Sequence, residues 1–227
     1  VAGPLEETTE LLRSARAKSD SVLVSFSGGK DSLVVMDLCV RTFARVEAFF
    51  MQWVPGLRCV EEPAIAGAAR FGVELHMVPH WAALRCLKHG VYCFNGPERD
   101  YWPDAKLRDI YAMVIHDTGI PLIATGAKRR DGLWRKRNLD STKGWCEVIT
   151  PVVGWSNADV AAHLVARKIP VPRGDRADGA GADLSKPSIL WMHDNHPEDF
   201  AILEEYFPFA RAVVEQRRMY GEKKIRI

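Results

Sequence analysis

Short apolar runs alternate with stripes of helical period along most of the chain. Residues 21–26, Ser-Val-Leu-Val-Ser-Phe, are rich in β-branched and apolar side chains and run into a glycine turn, which predicts a buried strand. A helix is predicted over 33–43, with Leu33, Met36, Asp37 and Val40 at helical spacing. A strand over 46–51, an alanine-rich helix over 61–71 and a strand over 73–78 come next. The helix over 104–118 is clearer: Leu107, Ile110, Tyr111, Val114 and Ile115 form one apolar stripe, while Lys106, Arg108 and Asp109 face water. Strands are predicted over 121–125, just before Gly126, and over 146–149, ahead of Pro151. Ser156 and Asp159 then read as a capping box that opens a helix running to Arg167. This rhythm predicts an α/β fold, doubly wound, with a mostly parallel sheet and helices on both faces. No internal repeat is visible.

Two stretches break the rhythm. Residues 80–103 carry Trp81, Cys86, Cys93, Pro97 and Trp102 without a clean period, and read as an insertion or irregular cover. Residues 171–187 hold three glycines and almost nothing that could fill a core, so a mobile loop is expected there, either an active-site lid or a linker. Residues 197–219 follow as a helical region, with Phe200, Leu203, Phe207, Val213 and Val214 available for packing. The expected organisation is a nucleotide-binding α/β domain over 1–170. A mobile loop and C-terminal helical extension over 171–227 would pack on the same domain.

Composition narrows the class rather than naming it. The 227 residues are 47% apolar and 26% charged, which excludes wholesale disorder, collagen-like repeats and a coiled coil. A formal charge of +2 announces neither a nucleic-acid nor a membrane partner, so any such case rests on local clusters. No apolar run is long enough for a membrane helix, and no signal peptide is visible at residues 1–7. Cys39, Cys59, Cys86, Cys93 and Cys146 are odd in number, scattered and without a C-x-x-C pair. That argues against a disulfide framework and for a cytoplasmic location. It also argues against an iron–sulfur cluster, with one held by three distant cysteines left as the alternative.

The candidate chemistry sits between the first strand and the first helix. In Ser25-Phe26-Ser27-Gly28-Gly29-Lys30-Asp31-Ser32, two glycines let main-chain amides approach an anion, and the following helix adds its partly positive N-terminus. Ser27 and Ser32 add hydroxyls and Lys30 a cation, so the loop suits a phosphate or pyrophosphate. A side chain at Gly28 would be expected to fill the anion's space while leaving the fold intact. The loop is not a Walker A motif, because Asp31 follows Lys30 and Val24 stands where the first glycine belongs.

Ser27-Gly28-Gly29-Lys30-Asp31-Ser32 resembles the S-G-G-x-D-S signature of the PP-loop ATP pyrophosphatases, the adenine nucleotide α-hydrolase-like superfamily. Within it the chain most resembles the phosphoadenylyl-sulfate (PAPS) reductase branch. Thr125-Gly126-Ala127-Lys128-Arg129-Arg130 looks like that branch's T-G-x-R-R-type element, and the stretch with Pro151, Trp155, Asp159, Val160, Ile169 and Pro170 is similar to its P-x-x-x-W-x-x-x-D-V … IP pattern. The resemblance covers about residues 20–170. It implies a five-stranded parallel sheet that holds ATP at the carboxyl ends of its strands. It also implies attack of an acceptor oxygen on the α-phosphorus, release of pyrophosphate and an adenylated product. Ser25, Ser27, Gly28, Gly29, Lys30, Asp31, Ser32, Met51 and Gly126 would then bind the nucleotide, with Met51 near the adenine. Lys30, Asp31, Arg129 and Arg130 would be catalytic, and Asp31 would hold Mg2+.

The same chain departs from the reductase pattern. The reductase's nucleophilic cysteine lies in a C-terminal E-C-G-x-H-like motif, and no cysteine follows Cys146 here. The expected function is therefore adenylation of a nucleotide, nucleic acid or small metabolite. The alternatives are a sulfur-handling enzyme with an external sulfur donor and a nucleotide-binding module without catalysis. Lys128, Arg129, Arg130, Arg135, Lys136, Arg137 and Lys143 place seven cations within sixteen residues, either a solvated face or an anion clamp. The segment 129–143 could serve a nucleic-acid acceptor, Trp134 could stack on a base, and a homodimer is compatible with the chain. His193 and His196 are weaker candidates for metal ligation, and His76 and His80 read as packing or surface residues.

Overall fold

The computed structural model describes residues 4–129, 146–171 and 183–221. Helix α1 spans Pro4–Lys18, and strand β1, Ser21–Ser25, leads into α2, Lys30–Val40. Then come β2 (Arg45–Gln52), α3 (Arg58–Arg70), β3 (Glu74–Pro79) and α4 (Trp81–Lys88). A 3-10 turn at Pro97–Tyr101 precedes α5 (Leu107–Thr118) and β4 (Leu122–Thr125). Beyond residues 130–145 lie β5 (Glu147–Ile149) and α6 (Asn157–Ala166). The last described elements are α7 (Lys186–Asn195), α8 (Pro197–Tyr206) and α9 (Ala210–Tyr220).

The five strands form one sheet in the order β3-β2-β1-β4-β5, with every neighbouring pair parallel. A parallel sheet needs cover on both faces, and the strands alternate accordingly. Val22 and Val24 of β1 point into a core with Leu12 and Ala15 of α1, Leu33 and Met36 of α2, Ala64 and Ala68 of α3, and Val160 and Leu164 of α6. Leu23 points the other way, toward Ile110, Tyr111 and Val114 of α5. The expected doubly wound architecture is what the chain adopts.

Three expectations need correction. Residues 80–103 are not simply irregular: His80 accepts a hydrogen bond from the Ala82 amide and thereby starts α4. The helical region 197–219 breaks at Phe207–Phe209, because Pro208 cannot extend a helix, and gives α8 and α9. The loop expected over 171–187 ends sooner, since Lys186 already opens α7, while 172–182 lie outside the described residues. Helix α1 had no counterpart in the sequence reading. A buried hydroxyl helps to fasten it: Thr8 Oγ1 donates to the Pro151 carbonyl at 2.6 Å and accepts from Trp155 Nε1 at 2.8 Å, while Arg16 Nε donates to Thr42 C=O at 3.1 Å and Lys18 pairs with Glu147 at 2.7 Å.

Helices α7–α9 make a second apolar cluster with Val54 and Leu57 of the β2–α3 loop and Ala83 of α4. The buried Asp199 carboxylate accepts from the Cys59 amide at 2.7 Å and ties α8 to the start of α3. Among the described residues no helix is long and apolar enough to cross a membrane.

Candidate functional site

The chain runs outward from β1 through β2 to β3, then crosses to place β4 on the other side of β1. In open parallel sheets a crevice forms outside the carboxyl ends of the strands where the order reverses. Here its walls are the loop after β1, residues 26–29, and the loop after β4, residues 126–128.

The first loop lies on a bed of small residues. Gly28 has φ +72°, and a Cβ there would come within 3.2 Å of the Ala64 backbone on α3. Phe26 lies over Gly67 of α3, where a Cβ would meet its ring at 2.8 Å. The alanine-rich face of α3 thus lets the turn press against helix backbone. This corrects one part of the expectation for Gly28: a side chain there would press on α3 at a strained φ, so substitution would not leave the fold intact.

No side chain caps α2; Gly29 is its extended N-cap, and Leu33 N–H donates to Gly29 C=O at 2.9 Å. The first-turn amides of such a helix point outward with its partial positive charge. Ser32 shapes the loop from within. Its hydroxyl donates to Gly29 C=O at 2.8 Å and accepts from the Ser27 amide at 3.3 Å. Ser27 is exposed at the turn, and Lys30 is exposed beside it.

The second loop closes on the first through glycine. A Cβ on Gly126 would lie 3.3 Å from Asp31 C and Cβ and from the Ser32 nitrogen, so β4 reaches the first turn of α2 with no room to spare. Two residues later Lys128, its side chain only 9% exposed, puts Nζ 2.5 Å from Asp31 Oδ1. The same ammonium donates to Asn157 Oδ1, at the first turn of α6, at 3.2 Å. Lys30 Nζ stands 3.4 Å from the other Asp31 oxygen. Nearby, Asp159 caps α6 through the Ser156 amide and hydroxyl; those hydrogen bonds, chiefly, hold its carboxyl below the usual range, with a contribution from Lys128.

The remaining sequence candidates scatter. Arg129 is exposed, and its backbone amide donates to Val153 C=O at 2.9 Å. Arg130, Trp134, Arg135, Lys136, Arg137 and Lys143 lie outside the described residues. Ser25 shares a hydrogen bond with Tyr111 of α5, whose phenol burial pushes well above its usual range; its hydroxyl therefore serves the opposite face from α2. Met51, half-buried at the end of β2, packs with the α5-side core. His193 is bound to Asp194 at 2.8 Å, and His196 packs on Trp191. His76 lies within β3 and bonds Glu47 at 2.7 Å, and with Glu74 these form a trio of metal-type donors, but Arg45 also holds Glu47. All five thiols are pushed above their usual pKa, chiefly by burial, so none is poised as a thiolate.

Lys128 is the residue the sequence did not single out, hidden inside a charge run; its place two residues after Gly126 was the available signal. Asp31 Oδ1 is buried and has no hydrogen-bond partner although Lys128 Nζ lies 2.5 Å away, and Oδ2 faces Lys30, so this carboxylate keeps lone pairs with which it would hold a magnesium ion beside a polyphosphate.

A family model described as the phosphoadenosine phosphosulfate reductase domain matches residues 21–173. No curated protein matches the chain. Among solved structures, an NH3-dependent NAD synthetase from Campylobacter jejuni, in complex with nitrate, superposes with TM-score 0.50 at 14% identity, covering 96% of this chain and 95% of that one. A U34-tRNA thiolase from Methanococcus maripaludis with its 4Fe–4S cluster gives TM-score 0.49 at 15% identity, covering 92% and 79%. A predicted subunit of tRNA methyltransferase from Methanocaldococcus jannaschii gives 0.42 at 17%, covering 65% and 75%. At these identities the first of them speaks for the fold alone.

Proposed function

The chain belongs to the phosphoadenosine phosphosulfate reductase domain family, within the PP-loop superfamily, and on that footing we propose that it binds ATP and adenylates an acceptor oxygen. The observation that carries the reading is the convergence of an uncapped helix N-terminus, Lys30 and Lys128 at the point where strand order reverses. Such a crevice offers donors to a polyphosphate and little to a neutral ligand.

In this reading the amides of the 27–32 turn hold the phosphates, and Lys30 and Lys128 flank them. The acceptor oxygen bonds to the α-phosphorus while the bond from that phosphorus to the bridging oxygen breaks, and pyrophosphate leaves with the electron pair. Fixed donors stabilise the charge that collects on the leaving group without having to reorganise. Arg129 and the basic segment to 143 lie downstream of the same strand, and we assign them to the acceptor, with a nucleic acid as one candidate.

The family match favours one second reading, in which a sulfonucleotide replaces ATP. The raised thiol pKa values weigh against a cysteine of this chain attacking it, so an external sulfur carrier would be needed. Chromatography of ATP incubated with the protein and candidate acceptors tests the first reading. AMP and pyrophosphate, arising after transfer or hydrolysis, are expected; ADP and phosphate would overturn it.

A further inference from the structure

We propose that Glu47, Glu74 and His76, toward the amino ends of β2 and β3, form a site for a divalent ion of the zinc class. The site lies away from the crevice, at the other end of the strands, and stands independently of the nucleotide reading. Sheet register brings the three together. Glu47 pairs with Glu74 on the neighbouring strand, and His76 pairs with Phe49 one pleat further along. Residues two apart share a face of a strand, and this is the face of Leu23, which also pairs with Glu47 and packs toward α5. One oxygen of each carboxylate and a ring nitrogen of His76 lie within 4.8 Å of one another. Ligand atoms about 2.0–2.2 Å from a tetrahedral zinc ion stand about 3.3–3.6 Å apart, so the set is within side-chain rotation of closing on one.

Two features favour a bound cation over a self-contained ion pair. An interior strand of a parallel sheet runs apolar on both faces, yet Glu47 is buried in β2 and meets a second carboxylate on β3. Like charges side by side on one face repel. Arg45 offsets one of the two, and Glu74 has no ion pair among the described residues. The second feature is how Arg45 is held. Its Nε donates to Glu47 Oε1 at 2.8 Å and its Nη2 to Thr118 C=O, at the end of α5, at 3.2 Å. That leaves Oε2 facing His76 Nε2 at 2.7 Å. A donor on the far oxygen orients a ligating carboxylate, as outer partners do around metal ions. The imidazole becomes a ligand by carrying its proton on Nδ1 and turning the Nε2 lone pair on the ion, which then replaces the hydrogen bond to Glu47. One imidazole with two carboxylates suits zinc, whereas magnesium and calcium prefer oxygen alone. The ion would clasp edge strand β3 to β2, with water completing its coordination on the exposed Glu74 side.

The test is calorimetric titration of the full chain with ZnCl2 and, separately, with MgCl2, in the absence of nucleotide. The wild type should bind zinc at least about tenfold more tightly than magnesium. Glu74→Gln swaps an exposed carboxylate for an amide of the same shape, and His76→Gln keeps a donor for Glu47 while removing the imidazole. Each should weaken zinc binding at least about tenfold. Zinc should also raise the thermal midpoint of the wild type more than that of either variant, because the ion binds the folded sheet. No zinc binding by the wild type would overturn the inference. Zinc bound equally well by a folded Glu74→Gln protein would overturn it too, since the metal would then sit elsewhere. Magnesium bound as tightly as zinc would remove the imidazole from the site and contradict the assignment. None of these outcomes touches the nucleotide reading, which ATP binding decides by itself.

Discussion

The carboxyl ends of β1 and β4 and those of β2 and β3 lie along one edge of the same sheet, yet they are finished in opposite ways. Beyond β1 and β4 the chain leaves an uncapped helix start and two lysines gathered on one carboxylate. Beyond β2 and β3 the polar groups are spent on the chain itself. His80 donates its amide to Gln52 C=O at 2.8 Å and accepts from Ala82 through Nδ1, while Glu61 takes the Gln52 side chain and the Gly56 amide. The rings of Trp53, His80 and Trp81 then stack at 4.4 and 5.8 Å. The contrast teaches where an anion can bind. Both corners have loops, glycines and strand ends; the one at the switch point has a helix start without a side-chain cap, and its two lysines outnumber the one carboxylate that they share.

The largest blow to the charged corner should come through its backbone. Gly28→Val puts a β-branched residue at φ +72° against the Ala64 backbone, and strain plus overpacking should cost about 2–5 kcal/mol of stability. Urea unfolding measures it. A stable Gly28→Val protein that merely loses nucleotide binding would restore the idea that substitution here leaves the fold intact.

The aromatic corner should instead respond to acid. Burial lowers the His80 pKa from 6.5 to about 4, with Asp183 opposing, so the folded state holds the imidazole neutral while the unfolded chain protonates it. The stabilisation is therefore complete above pH 6.5 and declines as the pH falls toward 4, by about 1–3 kcal/mol at the lower end. Denaturant midpoints at pH 7.5 and 5 should show that slope in the wild type and a shallower one in His80→Asn, where asparagine still caps α4. Equal slopes would remove His80 from the account.

A milder change sharpens the charged corner alone. Gly126→Ala must push β4 away from Asp31 by a few tenths of an ångström. We expect about 1 kcal/mol of lost stability and several-fold weaker ATP binding, with no change in the acid response attributed to His80. Unaltered ATP affinity would mean that the two loops need not touch.

Much of this contrast could be read before any coordinates. The strands announce themselves because a parallel sheet buries both faces, so Val22, Leu23 and Val24 run on without a polar break. The 27–32 turn is legible because glycine pairs before a helix have few other uses. What sequence hides is partnership across distance. Lys128 looks like one cation in a run of seven until Gly126 brings it to Asp31. Ser32 reads as a ligand for phosphate until its hydroxyl is found bracing Gly29. Helix α1 escapes notice because Leu12 and Ala15 are nearly all it buries in the core, and its fastening to Trp155 through Thr8 leaves no local pattern. Helix α4 is marked by a histidine cap, which is outside the usual set of Ser, Thr, Asp and Asn.

Amide hydrogen exchange with and without ATP tests the central claim most directly, because it reports which corner meets the ligand. The account predicts slowed exchange in peptides spanning 26–33 and 125–129, with residues 76–90 unchanged. Exchange that stays the same at 26–33 under saturating ATP, or slows only at 76–90, would contradict it.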